Sequence, residues 1–101
     1  MAKVELRFNE VVLHVFDLDK PLITIGRSNR NDIVIDNMAV SRRHAKIYRE
    51  GPRYIVEDLG SLNGTFVNSK KVPQWILSDA DQILIGKHTL VFMEEEDQAA
   101  G

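Results

Sequence analysis

Three short polar segments of the sequence carry side chains that can bind an anion. Gly26-Arg27 ends the apolar run of residues 22–25, Ser41-Arg42-Arg43-His44 precedes the next apolar run, and Asn63-Gly64 lies further along. Guanidinium groups donate planar forks of hydrogen bonds that suit phosphate oxygens, while a serine hydroxyl and an asparagine amide add shorter donors. Because each segment lies where a predicted strand gives way to a turn, we predict that they form three sides of one shallow phosphate pocket.

Each of these residues also has a simpler interpretation. A lone Gly-Arg pair is most often an ordinary surface arginine, and Asn63-Gly64 is a favoured dipeptide for a tight hairpin turn. A turn asparagine can nevertheless expose its amide to the backbone of a bound peptide. We expect His44 to be a buried imidazole that braces the preceding loop, and Asn68 to brace a neighbouring turn.

The charge distribution favours a local anion site over a nucleic-acid-binding surface. The chain has 13 Lys and Arg against 15 Asp and Glu, for a net charge of −2. Residues 26–49 contain six basic and two acidic residues, which gives this segment a charge of +4. Four acidic residues begin the segment 94–101, which we expect to be a disordered tail after a domain over residues 1–93.

The composition indicates one domain that needs no cofactor. A chain of 101 residues, 44% of them hydrophobic, suits a single core. It has no cysteine, which excludes disulfides and thiolate metal sites. The N-terminus lacks the apolar region of a signal peptide, and no apolar run approaches the ~18 residues that span a bilayer. We therefore expect a soluble, cytoplasmic monomer with neither a membrane nor a nucleic-acid partner.

The hydrophobic pattern predicts an all-β fold, because residues 3–8 alternate with the period of two typical of a half-buried strand. Glu50-Gly51-Pro52 separates two apolar runs and predicts a hairpin. The predicted strands lie at residues 3–8, 11–18, 22–25, 33–35, 45–48, 53–57, 65–68, 72–77, 82–85 and 89–93. Ten or eleven short strands favour a β-sandwich or barrel, and a sandwich lets loops at one end converge on a ligand.

The three segments, in this order and spacing, resemble the signature blocks of forkhead-associated (FHA) domains. The matching stretches are Ile25–Arg27, Val40–Ala45 and Asp58–Asn68, and the similarity extends to Asp81–Gly86. The resemblance implies a β-sandwich of about eleven mainly antiparallel strands. It also implies binding of phosphothreonine-containing proteins, in trans or in cis on a larger parent chain, by loops at one end.

The resemblance also assigns roles to individual residues. Those implied to hold the phosphate and the adjoining peptide are Arg27, Ser41, Arg42 and Asn63, the last through the peptide main chain. Those implied to shape the loops are Gly26, His44 and Gly64. Candidates for peripheral peptide contacts are Arg30, Asn31, Leu62, Thr65 and Asn68.

Two positions depart from the family pattern. Many relatives have threonine or serine at the position of Leu62, so a phosphate hydrogen bond is missing here unless Ser61 or Thr65 replaces it. Alternatively, Leu62 contacts an apolar side chain of the peptide. Ala80 stands where relatives often have glycine, which puts the geometry of that turn in question.

Other classes of function have weaker support in the sequence. Ser41, His44 and Asp58 are the residue types of a hydrolytic triad, but no nucleophile-elbow signature accompanies them, so we predict that the protein is not an enzyme. The three histidines, His14, His44 and His88, lack metal-ligand spacing. The main alternative is a protein-interaction domain on the same fold that binds its partner independently of phosphate.

Overall fold

A computed structural model describes residues 2–94 of the chain. Eleven strands are formed: β1 (Ala2–Phe8), β2 (Val11–Asp17), β3 (Leu22–Gly26), β4 (Ile33–Val34), β5 (Ala45–Glu50), β6 (Arg53–Asp58), β7 (Thr65–Val67), β8 (Lys70–Lys71), β9 (Gln74–Ile76), β10 (Gln82–Ile85) and β11 (His88–Glu94). Glu94, the first residue of the predicted tail, ends β11, and residues 95–101 of that tail lie outside the described residues. The described part contains no helix long and apolar enough to cross a membrane.

The strands form two sheets that pack face to face. One sheet has the order β2-β1-β11-β10-β7-β8, and the other has the order β4-β3-β5-β6-β9. The β3–β4 pair is parallel, and the other strand pairs are antiparallel. The predicted sandwich of about eleven mainly antiparallel strands is confirmed.

The core lies between the inner faces of the two sheets. Because side chains alternate across a strand, β1 buries its even-numbered residues from Ala2 to Leu6, and β10 buries Ile83 and Ile85. Phe92 of β11 is fully buried and stacks at a tilt on Tyr54, with 5.6 Å between ring centroids. This packing joins the two sheets across the core.

Apart from shifts of one or two residues at individual strand ends, two regions differ from the prediction, for local reasons. Lys70-Lys71, which lies between two predicted strands, forms β8, because the two-residue hairpin at Asn68-Ser69 pairs it directly with β7. Both hairpin residues have positive φ, as a tight turn of this kind requires. The predicted strand 72–77 is reduced to β9, because the chain passes from one sheet to the other at Pro73, whose ring removes a backbone donor.

Three loops and one turn meet at the same end of the sandwich. They are the β3–β4 loop (residues 27–32), the β4–β5 loop (residues 35–44), the β6–β7 loop (residues 59–64) and the β10–β11 turn (residues 86–87). The first two connect strands of one sheet, while the β6–β7 loop crosses between the sheets. This end of the molecule therefore gathers residues from all three polar segments.

Candidate functional site

The β4–β5 loop forms the centre of the site and is held in a fixed shape. The backbone N–H of Val40 donates to the Asn37 carbonyl oxygen at 2.9 Å, and that of Ala39 donates to Asn37 Oδ1, also at 2.9 Å. Ile35 and Val40 are buried in the core at either side of this turn. The loop is therefore a rigid platform against which the neighbouring loops pack.

Arg27 is pinned to this platform through two hydrogen bonds. Its backbone N–H donates to the Ser41 carbonyl oxygen at 2.9 Å, and its Nε donates to the Val40 carbonyl oxygen at 3.0 Å. Neither terminal amino group of the guanidinium forms a hydrogen bond within residues 2–94. The half-buried side chain therefore has a fixed direction and keeps its two Nη groups as donors for a ligand.

Close backbone approach explains the glycine at position 26. A Cβ atom there would lie 2.2 Å from the Arg42 carbonyl oxygen and 2.7 Å from Asn31 Nδ2. Asn31 Nδ2 itself donates to the carbonyl oxygens of Ser28 at 2.8 Å and Arg42 at 2.7 Å. Gly26 thus lets the β3–β4 and β4–β5 loops touch, and Asn31 braces them with an amide that is already occupied.

His44 is completely buried and connects two loops. The backbone N–H of Ser41 donates to His44 Nδ1 at 3.1 Å, and His44 Nε2 donates to the Gly64 carbonyl oxygen at 2.8 Å. This pair of partners assigns the neutral tautomer with its proton on Nε2. The imidazole braces the β4–β5 loop against the β6–β7 loop. It lies beneath the predicted phosphate site between Arg27, Ser41 and Asn63, which is called the hollow below.

The β6–β7 loop is organised around the carboxylate of Asp58. Asp58 Oδ2 accepts hydrogen bonds from the backbone N–H groups of Gly60 at 3.0 Å and Ser61 at 3.1 Å, while Oδ1 accepts from the hydroxyls of Ser61 and Thr65. Burial by itself would raise the pKa of Asp58, but these hydrogen bonds outweigh it and hold the pKa below its usual value of 3.8. The loop therefore wraps an ionised carboxylate.

Ser41 and Asn63 join the remaining sides of the hollow. Ser41 Oγ accepts a hydrogen bond from the Leu62 backbone N–H at 3.0 Å, which leaves the hydroxyl proton for a ligand. Asn63 Nδ2 donates to the Ala39 carbonyl oxygen at 2.8 Å. Arg27, Ser41 and Asn63 are thus all attached to the segment 39–41, and the structure brings the three sequence segments together.

Two exposed arginines belong to the segments that meet at the β3–β4 loop. Arg42 is exposed, and its carbonyl oxygen accepts a hydrogen bond from Asn31 of that loop. Arg30 is an exposed residue of the loop itself. Together with Arg27, they add positive charge to these segments, which favours an anion there.

Of the proposed peripheral contacts, Thr65 and Asn68 are engaged elsewhere, as Asn31 is, and so is Ser61, a proposed replacement for the hydroxyl missing at Leu62. Thr65 is only 1% exposed and its hydroxyl donates to Asp58, so it does not face the hollow. Ser61 donates to Asp58 and accepts from the Gly64 N–H at 2.9 Å; neither hydroxyl replaces the one missing at Leu62. Asn68 lies at the far end of β7, where its amide bonds Asp81 and the Gln82 N–H. With Asn31, this leaves Arg30 and Leu62 as the free peripheral candidates.

Two alternative interpretations of the sequence do not fit the geometry. Asn63-Gly64 is not a hairpin turn, because the β6–β7 loop passes between sheets and, of these two residues, only Gly64 has positive φ. The triad that the sequence analysis did not favour is absent: Ser41 contacts the His44 imidazole through its backbone N–H, and Asp58 is bonded within its own loop. Residues 2–94 contain no cluster of His, Cys, Asp or Glu arranged to hold a metal ion.

The structure also reveals a residue that the sequence analysis missed. Asp58 was considered only as a member of a triad, yet it supports the whole β6–β7 loop. Its signal was the spacing Asp58-x-x-Ser61, since aspartate side chains commonly accept hydrogen bonds from backbone N–H groups two and three residues later. Asn37 makes the same kind of contact in the β4–β5 loop, where its Oδ1 accepts a hydrogen bond from the backbone N–H of Ala39, two residues later.

Comparisons with known proteins agree with this geometry. The family model described as FHA domain matches residues 23–86. The oxoglutarate dehydrogenase inhibitor of Corynebacterium diphtheriae is 47% identical over 79 residues, covering 78% of this chain and 55% of the relative. The glycogen accumulation regulator GarA of Mycolicibacterium smegmatis is 46% identical over 78 residues, covering 77% of this chain and 49% of the relative. The chain thus spans about half the length of these relatives.

Solved structures show the same architecture. One, from work on phosphothreonine-dependent FHA domain interactions, has a TM-score of 0.83 and 30% sequence identity, covering 93% of this chain and 98% of the solved chain. Another, the FhaA FHA domain in complex with the intracellular domain of Rv3910, has a TM-score of 0.83 and 29% identity, covering 91% of this chain and 99% of the other.

Proposed function

Because the chain belongs to the FHA domain family, we propose that it binds phosphothreonine-containing protein segments at the end of the sandwich described above. The observation that carries this proposal is the convergence of Arg27, Ser41 and Asn63 on residues 39–41, although they lie far apart in the sequence. The protein acts as an interaction module rather than as an enzyme, in processes controlled by Ser/Thr kinases.

The donors that remain available match the chemistry of a phosphate group. A phosphothreonine carries about −1.5 to −2 charges and three acceptor oxygens near pH 7. The two Nη groups of Arg27 and the hydroxyl proton of Ser41 remain available to such a dianion, and Arg42 adds a second, exposed guanidinium. Asn63 keeps its Oδ1 acceptor and one N–H for the peptide main chain, since its other N–H is bonded to Ala39.

The rigid support of these donors favours binding without rearrangement. Arg27 is fixed through Nε, Ser41 through the Leu62 N–H, and the loops through His44 and Asp58. Donors that are already ordered lose little conformational entropy when a ligand arrives. The ligand is a phosphorylated partner in trans or a phosphorylated threonine in cis on a longer parent chain, and the setting is the cytoplasm.

Calorimetric titration with a phosphothreonine peptide tests this function. A hydrogen bond to a charged group contributes roughly 1.5–3 kcal/mol, so Arg27→Ala and Ser41→Ala should each weaken binding by about 10- to 150-fold. The control is Arg53→Ala, which removes an exposed arginine at the far end of β6 and should leave the affinity unchanged.

The dephosphorylated peptide separates this proposal from its alternative. Loss of binding on dephosphorylation is expected, because Arg27 and Ser41 would then face a neutral hydroxyl. Equal binding of both forms would instead favour a phosphate-independent interaction domain. Unchanged affinity in folded Arg27→Ala and Ser41→Ala proteins would remove both residues from the site.

A further inference from the structure

We propose that β2 is a docking edge for a second copy of this chain, and that two molecules pair their β2 strands antiparallel around a two-fold axis. β2 lies at one end of the strand order of its sheet, and within residues 2–94 it pairs only with β1. Alternate backbone N–H and C=O groups of an edge strand point away from the sheet, where another strand can bond to them. This pairing does not require a bound phosphate.

Of the four sheet edges in the described chain, β2 is the longest. The other three edge strands, β4, β8 and β9, have two or three residues each, and β8 consists of two lysines. Short strands and lysines are devices by which proteins prevent edge-to-edge pairing. β2 has seven residues and exposes four large aliphatic side chains, those of Val11 (60%), Val12 (47%), Leu13 (51%) and Val15 (43%).

The strand beside β2 presents a charged surface instead. Val15 pairs with Glu5 and Val12 pairs with Arg7 across the β1–β2 ladder. Arg7 donates to Glu5 Oε1 through Nε at 3.0 Å and through Nη2 at 2.6 Å. Two copies joined at β2 therefore bring their aliphatic strips together at the centre and leave the ion pairs outside them, which is the apolar centre and polar rim of a protein interface.

The sequence of β2 is complementary to itself when it is reversed. With Leu13 on the two-fold axis, Val11 of one copy lies opposite Val15 of the other. Glu10 then lies opposite Phe16, and Asp17 opposite Asn9, so that no two like charges face each other. A shift of one residue would place Glu10 opposite Asp17, so the charges favour the register centred on Leu13.

The irregularity of the β1–β2 ladder falls at this same position. Leu6 pairs with His14 and Arg7 with Val12, which leaves Leu13 as the extra residue of a bulge. The bulge divides β2 into two regular stretches, residues 11–12 and residues 14–17. With Leu13 on the axis, the first stretch of each copy pairs with the second stretch of the other.

The direction of β2 places the two hollows at opposite ends of the dimer. Val11 begins β2 opposite Phe8, whose ring stacks on His88 with 4.7 Å between centroids. His88 follows the β10–β11 turn, where a Cβ atom on Gly86 would lie 2.9 Å from the Val40 side chain at the hollow. Since the paired strands run in opposite directions, the dimer links two separate ligands and does not hold one ligand twice.

Sedimentation equilibrium of the whole chain, from micromolar to millimolar concentration, measures the pairing. We expect a dissociation constant of about 0.1–1 mM, since one strand edge buries less than the roughly 1,200 Å² of a standard interface. The monomer expected from the sequence is then the main species in dilute solution.

Lysine variants connect the dimer to β2. Leu13→Lys places two ammonium groups at the axis and Val15→Lys places one against an aliphatic side chain, so each should weaken dimerisation by at least about 10-fold. Leu84→Lys is the matched control, because Leu84 is an exposed leucine on β10, in the interior of the same sheet. It should leave the dissociation constant unchanged, and circular dichroism establishes that each variant is folded.

Cysteine cross-linking tests the register. The chain has no cysteine, so Leu13→Cys introduces a single thiol. Residues directly opposite in an antiparallel pair have Cβ atoms about 4.5–5.5 Å apart, close enough for a disulfide after a small adjustment. Under mild oxidation Leu13→Cys should form a covalent dimer, whereas Val11→Cys and the control Leu84→Cys should do so much more slowly.

Three results would overturn the proposal. One is a wild-type protein that stays monomeric at millimolar concentration, which leaves the β2 edge to a strand of another protein. The second is a dimer that persists in both lysine variants of β2. The third is cross-linking at Leu84 as fast as at Leu13, which indicates random collision. Each leaves phosphothreonine binding intact, because that function is measured on the monomer.

Discussion

Asp58→Asn should weaken both the fold and the binding site, because it removes the charge around which the β6–β7 loop is built. The carboxylate accepts four hydrogen bonds, from two backbone N–H groups and two hydroxyls. An asparagine can keep its oxygen toward the backbone donors, but its NH2 group then faces hydroxyls that must rotate to accept. Each bond also becomes a neutral one, which is roughly half as strong.

The magnitude follows from the number and exposure of these bonds. Charge-assisted bonds contribute roughly 1.5–3 kcal/mol and neutral ones roughly 0.5–1.5 kcal/mol, but the four bonds share one carboxylate and Asp58 is only half-buried. We therefore expect the free energy of unfolding to fall by about 2 kcal/mol, which lowers Tm by roughly 8–16 °C for a domain of this size. Looser positioning of Asn63 should lower peptide affinity by about 3- to 10-fold.

Thermal unfolding and calorimetric titration of two variants measure these effects. Asp81→Asn is the matched control, because Asp81 is a buried carboxylate that accepts bonds from Asn68 and the Ser78 N–H at the other end of β10. It should lower Tm while leaving the affinity for peptide unchanged. An Asp58→Asn protein with wild-type Tm and affinity, or an equal loss of affinity in both variants, would refute the proposed role of Asp58.

The pH dependence of stability provides a second readout for the same carboxylate. Hydrogen bonds hold the pKa of Asp58 below 3.8 in the folded protein, so the unfolded chain binds a proton more readily. The stabilisation from Asp58 is therefore complete above pH 3.8 and is lost as the pH falls below that value. In urea titrations, the difference in unfolding free energy between wild type and Asp58→Asn should shrink below about pH 4.

Three further predictions concern other parts of the site and fold. His44→Phe keeps the volume of the ring but leaves the Ser41 N–H and the Gly64 carbonyl without their partner, so it should cost about 2–5 kcal/mol in urea unfolding; wild-type stability would show that these bonds contribute little. Ala80 has a φ of +73°, a left-handed conformation that is unfavourable for a residue with a Cβ, so Ala80→Gly should raise stability by about 0.5–1 kcal/mol, and a lower Tm would contradict this. Phosphopeptide affinity should fall by up to about 10-fold between pH 7 and pH 5, as the phosphate gains its second proton near pH 6; an affinity independent of pH in calorimetry would argue against recognition of the dianion.

Much of the fold was predictable because strand signals in this chain are local. The alternation in β1 and the hairpin between β5 and β6 follow directly from period two and from Glu50-Gly51-Pro52. The strand that the sequence did not predict depends on its pairing partner and not on its own residue types. Lys70-Lys71 has no strand signal of its own and becomes a strand because the turn at Asn68-Ser69 aligns it with β7.

The candidate site, like the fold, was predictable from the sequence only in part. The types of donor were visible in the sequence, since arginine, serine and asparagine are suited to phosphate and peptide groups. Which donors are already occupied depends on tertiary contacts, and no local pattern shows that Thr65 is buried or that Asn31 bonds the Arg42 carbonyl oxygen. A glycine at position 26 could serve either an unusual backbone angle or the close approach of another segment, and only the tertiary structure assigns it to close approach.

The bonds that assemble the hollow end mainly on backbone carbonyl oxygens, those of Ala39, Val40, Ser41, Arg42 and Gly64. Every amino acid supplies the same carbonyl group, so the architecture does not depend on which side chains occupy positions 38 and 62. Randomising the codons of these two exposed residues, proline excepted, should therefore yield folded proteins that keep the same phosphate-binding loops. Side chains on the loop surface can vary while the backbone contacts that position Arg27, Ser41 and Asn63 stay the same.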